Sequence, residues 1–276
     1  MPQATTTDGL RIHYTLEGPS DAPPVVMLMG LGASGRYWFD APARLRDDRE
    51  HPHRVLVIDN RGTGSSDAPK RPFSMARMAD DVAEVMSHAG IEQAYVVGMS
   101  MGGMIAQQLA LRHPARVRGL ALFCTTAGLR HGPLVHPRIL RTLLSAPFVK
   151  KGQGERIVGD LLLAPSRRHE AATLLREWGP VMRAERVDAG MFFLQLGAVL
   201  THRTGARLDR IACPTLVVTG DSDVLVRPGH SRFLAKKIPG ARLEVLREVG
   251  HGIHSSDPDA VPRSLRYLRA RTEGQT

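Results

Sequence analysis

The sequence feature that most restricts the fold is a Gly-X-Ser-X-Gly pentapeptide between a strand-like and a helix-like run. Residues 94–112 read AYVVGMSMGGMIAQQLALR, so a β-branched run leads into Gly98-Met99-Ser100-Met101-Gly102 and an amphipathic run leads out. A sharp strand–turn–helix crowds its own backbone, so the flanking positions require glycine and the serine adopts a strained conformation. The pattern therefore predicts Ser100 at the carboxyl end of a central strand, at a helix N-terminus where free N–H groups favour negative charge.

Strand-like and helix-like segments alternate through both halves of the chain, which predicts a mostly parallel sheet covered by helices on both faces. The first two strand-like segments flank the turn residues 18–21, and we expect them to form an antiparallel pair. The predicted strands are Leu10–Glu17, Val25–Met29, Arg54–Ile58, Ala94–Gly98, Val117–Phe123, Thr215–Thr219 and Leu243–Leu246. The predicted helices are 75–89 after an N-cap at Ser74 and before Gly90, Met101–Arg112, Pro228–Lys237 and Asp257–Arg271.

The strand pattern stops between Gly128 and about Gly205, which predicts a helical insertion between two strands of the sheet. We therefore predict a core formed by residues 1–127 and 206–276, and a cap formed by residues 128–205. The helices predicted within the cap are Pro137–Ala146, Glu155–Leu163, Arg168–Arg186 and Asp188–His202.

Composition excludes several classes of function. The 276 residues carry a net charge of +10, but the basic residues are dispersed along the chain. Aromatic residues make up only 5% of the sequence, so nucleic-acid binding is not expected. No apolar run approaches the roughly 20 residues that cross a bilayer, and the first residues do not resemble a signal peptide. Cys124 and Cys213 lie in apolar runs, and we expect reduced thiols. These features favour a cytoplasmic protein without a membrane partner.

Two further motifs follow the last two predicted strands. One strand leads into Gly220-Asp221-Ser222-Asp223, and the next leads to His251 between two glycines. Together with the pentapeptide they make the chain resemble the α/β-hydrolase fold superfamily, whose triad follows the order nucleophile, acid, histidine. The resemblance implies Asp223 as the acid, with Asp221 as the alternative, and His251 as the base that accepts the proton of Ser100. It also implies an eight-stranded, mostly parallel sheet.

The resemblance further implies an oxyanion hole formed by the main-chain N–H groups of Leu31 and Met101. Position 29 is Met where the family usually has His before Gly30, so this loop lacks the side chain that usually braces it in the family. Residues 59–66 read DNRGTGSS and resemble the family's D-x-R-G-x-G-x-S turn, to which we assign a structural role.

The sequence thus predicts a serine hydrolase that cleaves a carboxylic ester or lactone of a small to medium hydrophobic substrate, without a cofactor or metal ion. The loop at Met29 and Gly30 is similar to that of polyketide methyl esterases. The predicted substrate-contacting residues are Met29, Gly30, Trp178, Phe192 and Phe193. Cofactor-free haloperoxidase or perhydrolase activity, C–C bond hydrolysis, and lyase or cyclase activity use the same fold and stay open, as does a non-catalytic ligand receptor. The sequence does not indicate an oligomeric state.

Overall fold

The computed structural model describes residues 2–131, 137–145, 148, 154–185 and 188–274. Its eight strands form one sheet in the order β1-β2-β4-β3-β5-β6-β7-β8. β2 runs antiparallel to both of its neighbours, whereas β3 to β8 are parallel where they pair. The strands are β1 (Gln3–Thr5), β2 (Arg11–Glu17), β3 (Pro24–Leu28), β4 (Arg54–Ile58), β5 (Ala94–Met99), β6 (Val117–Phe123), β7 (Thr215–Gly220) and β8 (Arg242–Leu246). The predicted mostly parallel, eight-stranded sheet is confirmed.

The central strands are apolar on both faces because helices cover both faces of the sheet. In β3, Val25 and Met27 belong to one buried cluster, while Val26 and Leu28 belong to the cluster on the opposite face. This alternation follows from the two-residue period of a strand.

The predicted pairing of the first two strand-like segments is wrong. β2 lies between β1 and β4, and Tyr14 is opposite Ile58 of β4. β3 instead lies between β4 and β5, with Val25 opposite both Val55 and Tyr95. Turn residues predict a change of chain direction, but the wholly apolar β3 is more stable between two parallel strands, where both of its faces and both of its edges are covered.

Ten helices are described: α1 (Ala41–Arg46), α2 (Met75–His88), α3 (Met101–Arg112), α4 (Pro137–Ser145), α5 (Gly154–Leu162), α6 (Ala171–Ala184), α7 (Ala189–Thr201), α8 (Pro228–Lys237), α9 (Ile253–Ser256) and α10 (Ala260–Glu273). Both predicted ends of α2 are confirmed. The hydroxyl of the N-cap residue Ser74 accepts a hydrogen bond from the Arg77 N–H, and Gly90, which follows the helix, has a φ of +67°. The helix predicted from Asp257 to Arg271 begins three residues later, at Ala260, as α10, and the short α9 before it was not predicted. Pro258, which has no N–H to continue a hydrogen-bond ladder, lies between the two helices.

Helices α4 to α7 all lie between β6 and β7, as predicted for the insertion. The predicted helix that starts at Arg168 begins instead as a 3-10 turn, Pro165–Glu170, and continues as α6. Ala146 and Arg186, predicted helix ends, lie outside the described residues. The assignment of residues 128–205 to a separate cap stays a prediction.

Two hydrogen bonds join the insertion to the loop that carries His251. The Gly252 N–H donates to the Leu162 carbonyl at 2.8 Å, and the Trp178 indole N–H donates to the Ser255 hydroxyl at 3.1 Å. The insertion therefore packs against the segment that includes His251 and α9.

Within the described part of the chain, no helix has both the length and the apolar composition needed to cross a membrane. Both cysteines are free, as expected, with Cys124 buried and Cys213 half-buried.

Candidate active site

Ser100 lies in the strained turn between β5 and α3. Its φ of +54° is a conformation that residues with a side chain rarely adopt. A Cβ at Gly98 would lie 2.5 Å from the Gly102 carbonyl oxygen, and a Cβ at Gly102 would lie 2.0 Å from the Leu28 carbonyl oxygen. The two glycines are therefore required by direct contact between backbones, and they hold the serine at the carboxyl edge of the sheet.

Asp223 and His251 form a buried pair at the same edge. The Nδ1 atom of His251 lies 2.8 Å from a carboxylate oxygen of Asp223, whose side chain is completely buried. The other carboxylate oxygen accepts hydrogen bonds from the N–H groups of Leu225 and Val226 at 2.8 and 2.9 Å. These two donors fix the carboxylate, so one oxygen faces the imidazole.

Asp221, the alternative acid, has different partners. Its carboxylate accepts hydrogen bonds from the Glu248 N–H and the Ser222 hydroxyl, both at 2.9 Å, and the side chain is exposed. Asp221 thus closes a surface turn, whereas the structure brings Asp223 together with His251.

The environment of His251 raises its pKa well above the ordinary value of 6.5. Burial by itself lowers the pKa, because it disfavours the imidazolium. The negative charge of Asp223 and its hydrogen bond, together with the buried thiol group of Cys124, oppose this effect and outweigh it. Asp223 therefore favours the protonated form of the ring, the form that a general base reaches after accepting a proton.

Two residues that line the same cavity as Ser100, Leu31 and Met101, each carry a main-chain N–H group. Leu31 lies on the loop after β3, and Met101 is the first residue of α3. Among the described residues, neither N–H has a hydrogen-bond acceptor. Both are therefore available to an oxygen atom of a bound molecule, as an oxyanion hole requires.

The loop after β3 is held from two sides, although Met29 replaces the usual histidine. The Asn60 side-chain amide donates to the Met29 carbonyl at 3.0 Å. From the insertion, the Gln195 side-chain oxygen accepts the Gly32 N–H at 2.8 Å, and its amide donates to the Arg61 carbonyl at 3.0 Å. The turn at residues 59–66 and helix α7 thus brace this loop.

A cavity of about 630 Å³ extends from Ser100 and His251 to the insertion. Its wall is almost entirely apolar, and among the described residues no Asp, Glu, Lys or Arg side chain lines it. The lining side chains near Ser100 include four methionines, and those of the insertion are mainly leucines. Among the lining residues are Met29, Met99, Met101, Met104, Leu129, Leu140, Leu143, Leu144, Trp178, Phe192 and Leu200. Such a wall suits an uncharged, apolar ligand.

Four of the five predicted substrate-contacting residues line this cavity: Met29, Gly30, Trp178 and Phe192. Phe193 does not line it among the described residues and is 42% exposed. Its ring contacts the ring of Phe192 edge-on, at 5.6 Å between centroids. Successive residues of a helix point about 100° apart, so Phe192 and Phe193 face different sides of α7.

From the sequence, His254 could be either a pocket residue or a surface residue, and in the structure it lines the cavity together with His251. Its ring packs against those of Trp38, Phe39 and Trp178, with centroids 5.6 to 5.9 Å apart. Burial lowers its pKa to about 4, although the Tyr37 main chain acts in the opposite direction. His254 is therefore a neutral wall residue at neutral pH. Its signal in the sequence was its position three residues after His251.

Sequence reasoning missed Cys124, which follows β6. Its thiol is buried and lies 3.5 Å from the His251 carbonyl oxygen, to which it donates. One ligand-type atom from each of Cys124, Asp223 and His251 lies within 4.8 Å of the others. Burial raises the pKa of this thiol and so disfavours the thiolate that binds metals. That no metal is needed stays a prediction.

The strand order, the strained serine and the buried Asp–His pair define an α/β enzyme of the hydrolase type. The chain belongs to the α/β hydrolase fold family, whose family model matches residues 23–258. A putative carbamate hydrolase RutD from Caulobacter sp. (strain K31) is 32% identical over 271 residues, which is 94% of each chain.

Two solved structures carry more specific descriptions. Est816, described as an N-acyl homoserine lactone degrading enzyme, is 30% identical with a TM-score of 0.74, over 96% of this chain and 99% of that one. The enol-lactonase from Burkholderia xenovorans LB400 is 27% identical with a TM-score of 0.78, over 97% of this chain and 99% of that one. These likenesses support a hydrolase.

Proposed function

We propose that this enzyme hydrolyses carboxylic esters or lactones of uncharged, hydrophobic substrates, with Ser100 as nucleophile, His251 as base and Asp223 as the acid that orients His251. The observation that carries the proposal is the shared position of Ser100 and His251 in an apolar cavity, with the far side of the imidazole bound to the buried Asp223. Oriented groups of this kind activate a serine hydroxyl that is otherwise a weak nucleophile.

The reaction has two steps. Nε2 of His251 accepts the hydroxyl proton as the Ser100 oxygen attacks the acyl carbon, and the N–H groups of Leu31 and Met101 bind the resulting oxyanion. The intermediate collapses, the bond to the alcohol oxygen breaks, and His251 returns its proton to that oxygen. Water then attacks the acyl-enzyme with the same proton transfers, which releases the acid and restores Ser100.

The lining of the cavity favours a hydrophobic ester or lactone over a small polar substrate. Carbamate, in the name of the RutD relative, is small and polar, whereas about 630 Å³ of apolar space suits a molecule of drug-like size. The lactones named for Est816 and the Burkholderia enzyme undergo the acyl transfer that this geometry supports. We propose further that residues 128–205 form a cap that supplies most of the apolar wall.

Two esters with the same leaving group test this proposal. We expect kcat/KM for p-nitrophenyl butyrate to exceed that for p-nitrophenyl hydrogen succinate at least about 100-fold, because the second places a carboxylate in a cavity that no Lys or Arg side chain of the described residues lines. Both rates are followed by release of nitrophenolate. Equal rates, or a preference for the succinate, would contradict an uncharged substrate, and absence of turnover with both esters and with simple lactones would contradict hydrolysis.

The raised pKa of His251 predicts the pH dependence of the reaction. The base must be neutral in the free enzyme, so kcat/KM should rise with pH and level off only above a pKa that is higher than 6.5. We expect this rise in kcat/KM when the hydrolysis of p-nitrophenyl butyrate is measured between about pH 5 and pH 10 and corrected for spontaneous hydrolysis. A limb with an apparent pKa below 6.5 would show that Asp223 does not control the protonation of His251.

A further inference from the structure

The large exposed apolar side chains of the described residues concentrate on the insertion. Seven such side chains are 39 to 61% exposed, and six of them lie between residues 129 and 200. The six are Leu129, Leu140, Leu144, Phe148, Phe193 and Leu200. The seventh, Val245, lies on the edge strand β8. Single exposed apolar residues are common on protein surfaces, but a cluster of them in one part of the chain indicates contact with an apolar molecule.

Four of the six also line the cavity that contains Ser100, namely Leu129, Leu140, Leu144 and Leu200. A side chain that borders both the cavity and the solvent lies at the cavity mouth. The remaining two extend this surface, because the rings of Phe148 and Phe193 contact each other at 6.3 Å and Phe193 contacts the lining residue Phe192. We call these six side chains the apolar rim.

The apolar rim continues the wall of the cavity without a change of polarity. The wall is apolar from the methionines beside Ser100 to the leucines of α4 and α7, and no charged side chain of the described residues lines it. A molecule that enters from the rim therefore keeps apolar contacts along its whole length, until its reacting carbonyl reaches Ser100.

We infer that the substrate carries a long alkyl or acyl tail, which extends from Ser100 through the cavity and leaves across the apolar rim. The inference rests on the proposed hydrolysis by Ser100 and adds the substrate class. A substrate tail fits this surface better than a second protein or a membrane does, because the apolar rim continues into the cavity as far as Ser100. Neither a protein surface nor a membrane would need that continuity. The tail covers the exposed leucines, which explains why they need no other partner.

Each methylene group that enters the cavity or the rim should raise kcat/KM about three- to fourfold, the factor given by about 0.8 kcal/mol of transfer free energy. The test compares p-nitrophenyl butyrate, octanoate and laurate, each below the concentration at which it aggregates. For the unmodified enzyme we expect kcat/KM for laurate to exceed that for butyrate at least about 100-fold.

The matched variants are the double change Leu140→Ser with Leu200→Ser, and Val245→Ser as the control. Leu140 and Leu200 are 47 and 48% exposed and Val245 is 39% exposed, so none of the changes opens a buried core. We expect the rim double variant to lower the laurate-to-butyrate ratio of kcat/KM about tenfold, or about threefold for each truncated side chain. The control should leave the ratio unchanged. Both esters are measured on the same preparation, so a loss of folded enzyme cancels.

Three outcomes would overturn the inference while the proposed hydrolysis stands. The first is turnover of butyrate with no gain for octanoate or laurate. The second is an unchanged ratio in the rim variant. The third is sedimentation of the enzyme with phosphatidylcholine vesicles, lost in the rim variant while the ratio for dissolved esters is unchanged; this would assign the rim to a lipid surface. Failure of the proposed function itself has a different result, since no ester of any length would then be cleaved.

Discussion

Replacing Ser100 with alanine is expected to lower kcat for p-nitrophenyl butyrate by about four to six orders of magnitude and to abolish covalent labelling by a fluorophosphonate probe. In the proposed mechanism the Ser100 hydroxyl forms the acyl-enzyme, and no other hydroxyl gives its proton to His251. Alanine keeps the Cβ atom, so the strain at a φ of +54° is the same in both proteins and the unfolding temperature should barely change. Stopped assays, labelling followed by mass spectrometry, and thermal unfolding measure the three effects.

A second serine at the same edge of the sheet provides the control. Ser222 lies in the loop after β7, where its hydroxyl donates to Asp221 at 2.9 Å. The Ser222→Ala variant should keep both activity and labelling. Labelling that persists in Ser100→Ala, or that disappears only in Ser222→Ala, would show that the nucleophile is another residue.

Replacing Asp223 with asparagine should lower kcat about 10⁴-fold, because a neutral amide neither stabilises the imidazolium nor enforces the tautomer that leaves Nε2 free to accept a proton. The matched variant is Asp221→Asn, two residues away. Its carboxylate accepts hydrogen bonds from Glu248 and Ser222, whereas the hydrogen bond to His251 comes from Asp223, so we expect activity within about threefold of the unmodified enzyme, the range of minor surface effects.

The pH profile separates a catalytic effect from misfolding. In Asp223→Asn the residual kcat/KM should still rise with pH, but with a lower apparent pKa, because the variant lacks the negative charge of Asp223 that raises the pKa of His251. A simple loss of folded protein would reduce kcat/KM by the same factor at every pH and leave the apparent pKa unchanged. A larger loss in Asp221→Asn than in Asp223→Asn would reverse the assignment of the acid.

Much of the architecture was predictable because it depends on local patterns. The β-branched run before Gly98 and the helical run after Gly102 predicted the strand, the turn and the helix. The N-cap at Ser74 and the run of helices between β6 and β7 were predicted in the same way. The predicted antiparallel pair failed because the partner of a strand depends on which apolar surfaces are covered, and turn residues carry no information on this.

The site was predictable to the extent that it follows motif order. Ser100, Asp223 and His251 were assigned from motifs, and the structure brings Asp223 and His251 into contact. Phe193 was predicted to contact the substrate because it is an apolar residue of the insertion, like its neighbour Phe192, yet helix geometry turns it outward. Gln195 was not foreseen, since its bond to the loop after β3 joins residues that are 163 positions apart.

The sequence alone determined the positions of seven of the eight strands and of most helices along the chain, the strained serine turn and the candidate residues, because each of these depends on steric and apolar patterns among near neighbours. Only the tertiary structure decided which aspartate meets His251, how a loop with Met29 in place of histidine is braced, and which apolar side chains face the cavity or form its rim. Those choices depend on contacts between distant segments, and such contacts exist only once the sheet and the insertion have packed together.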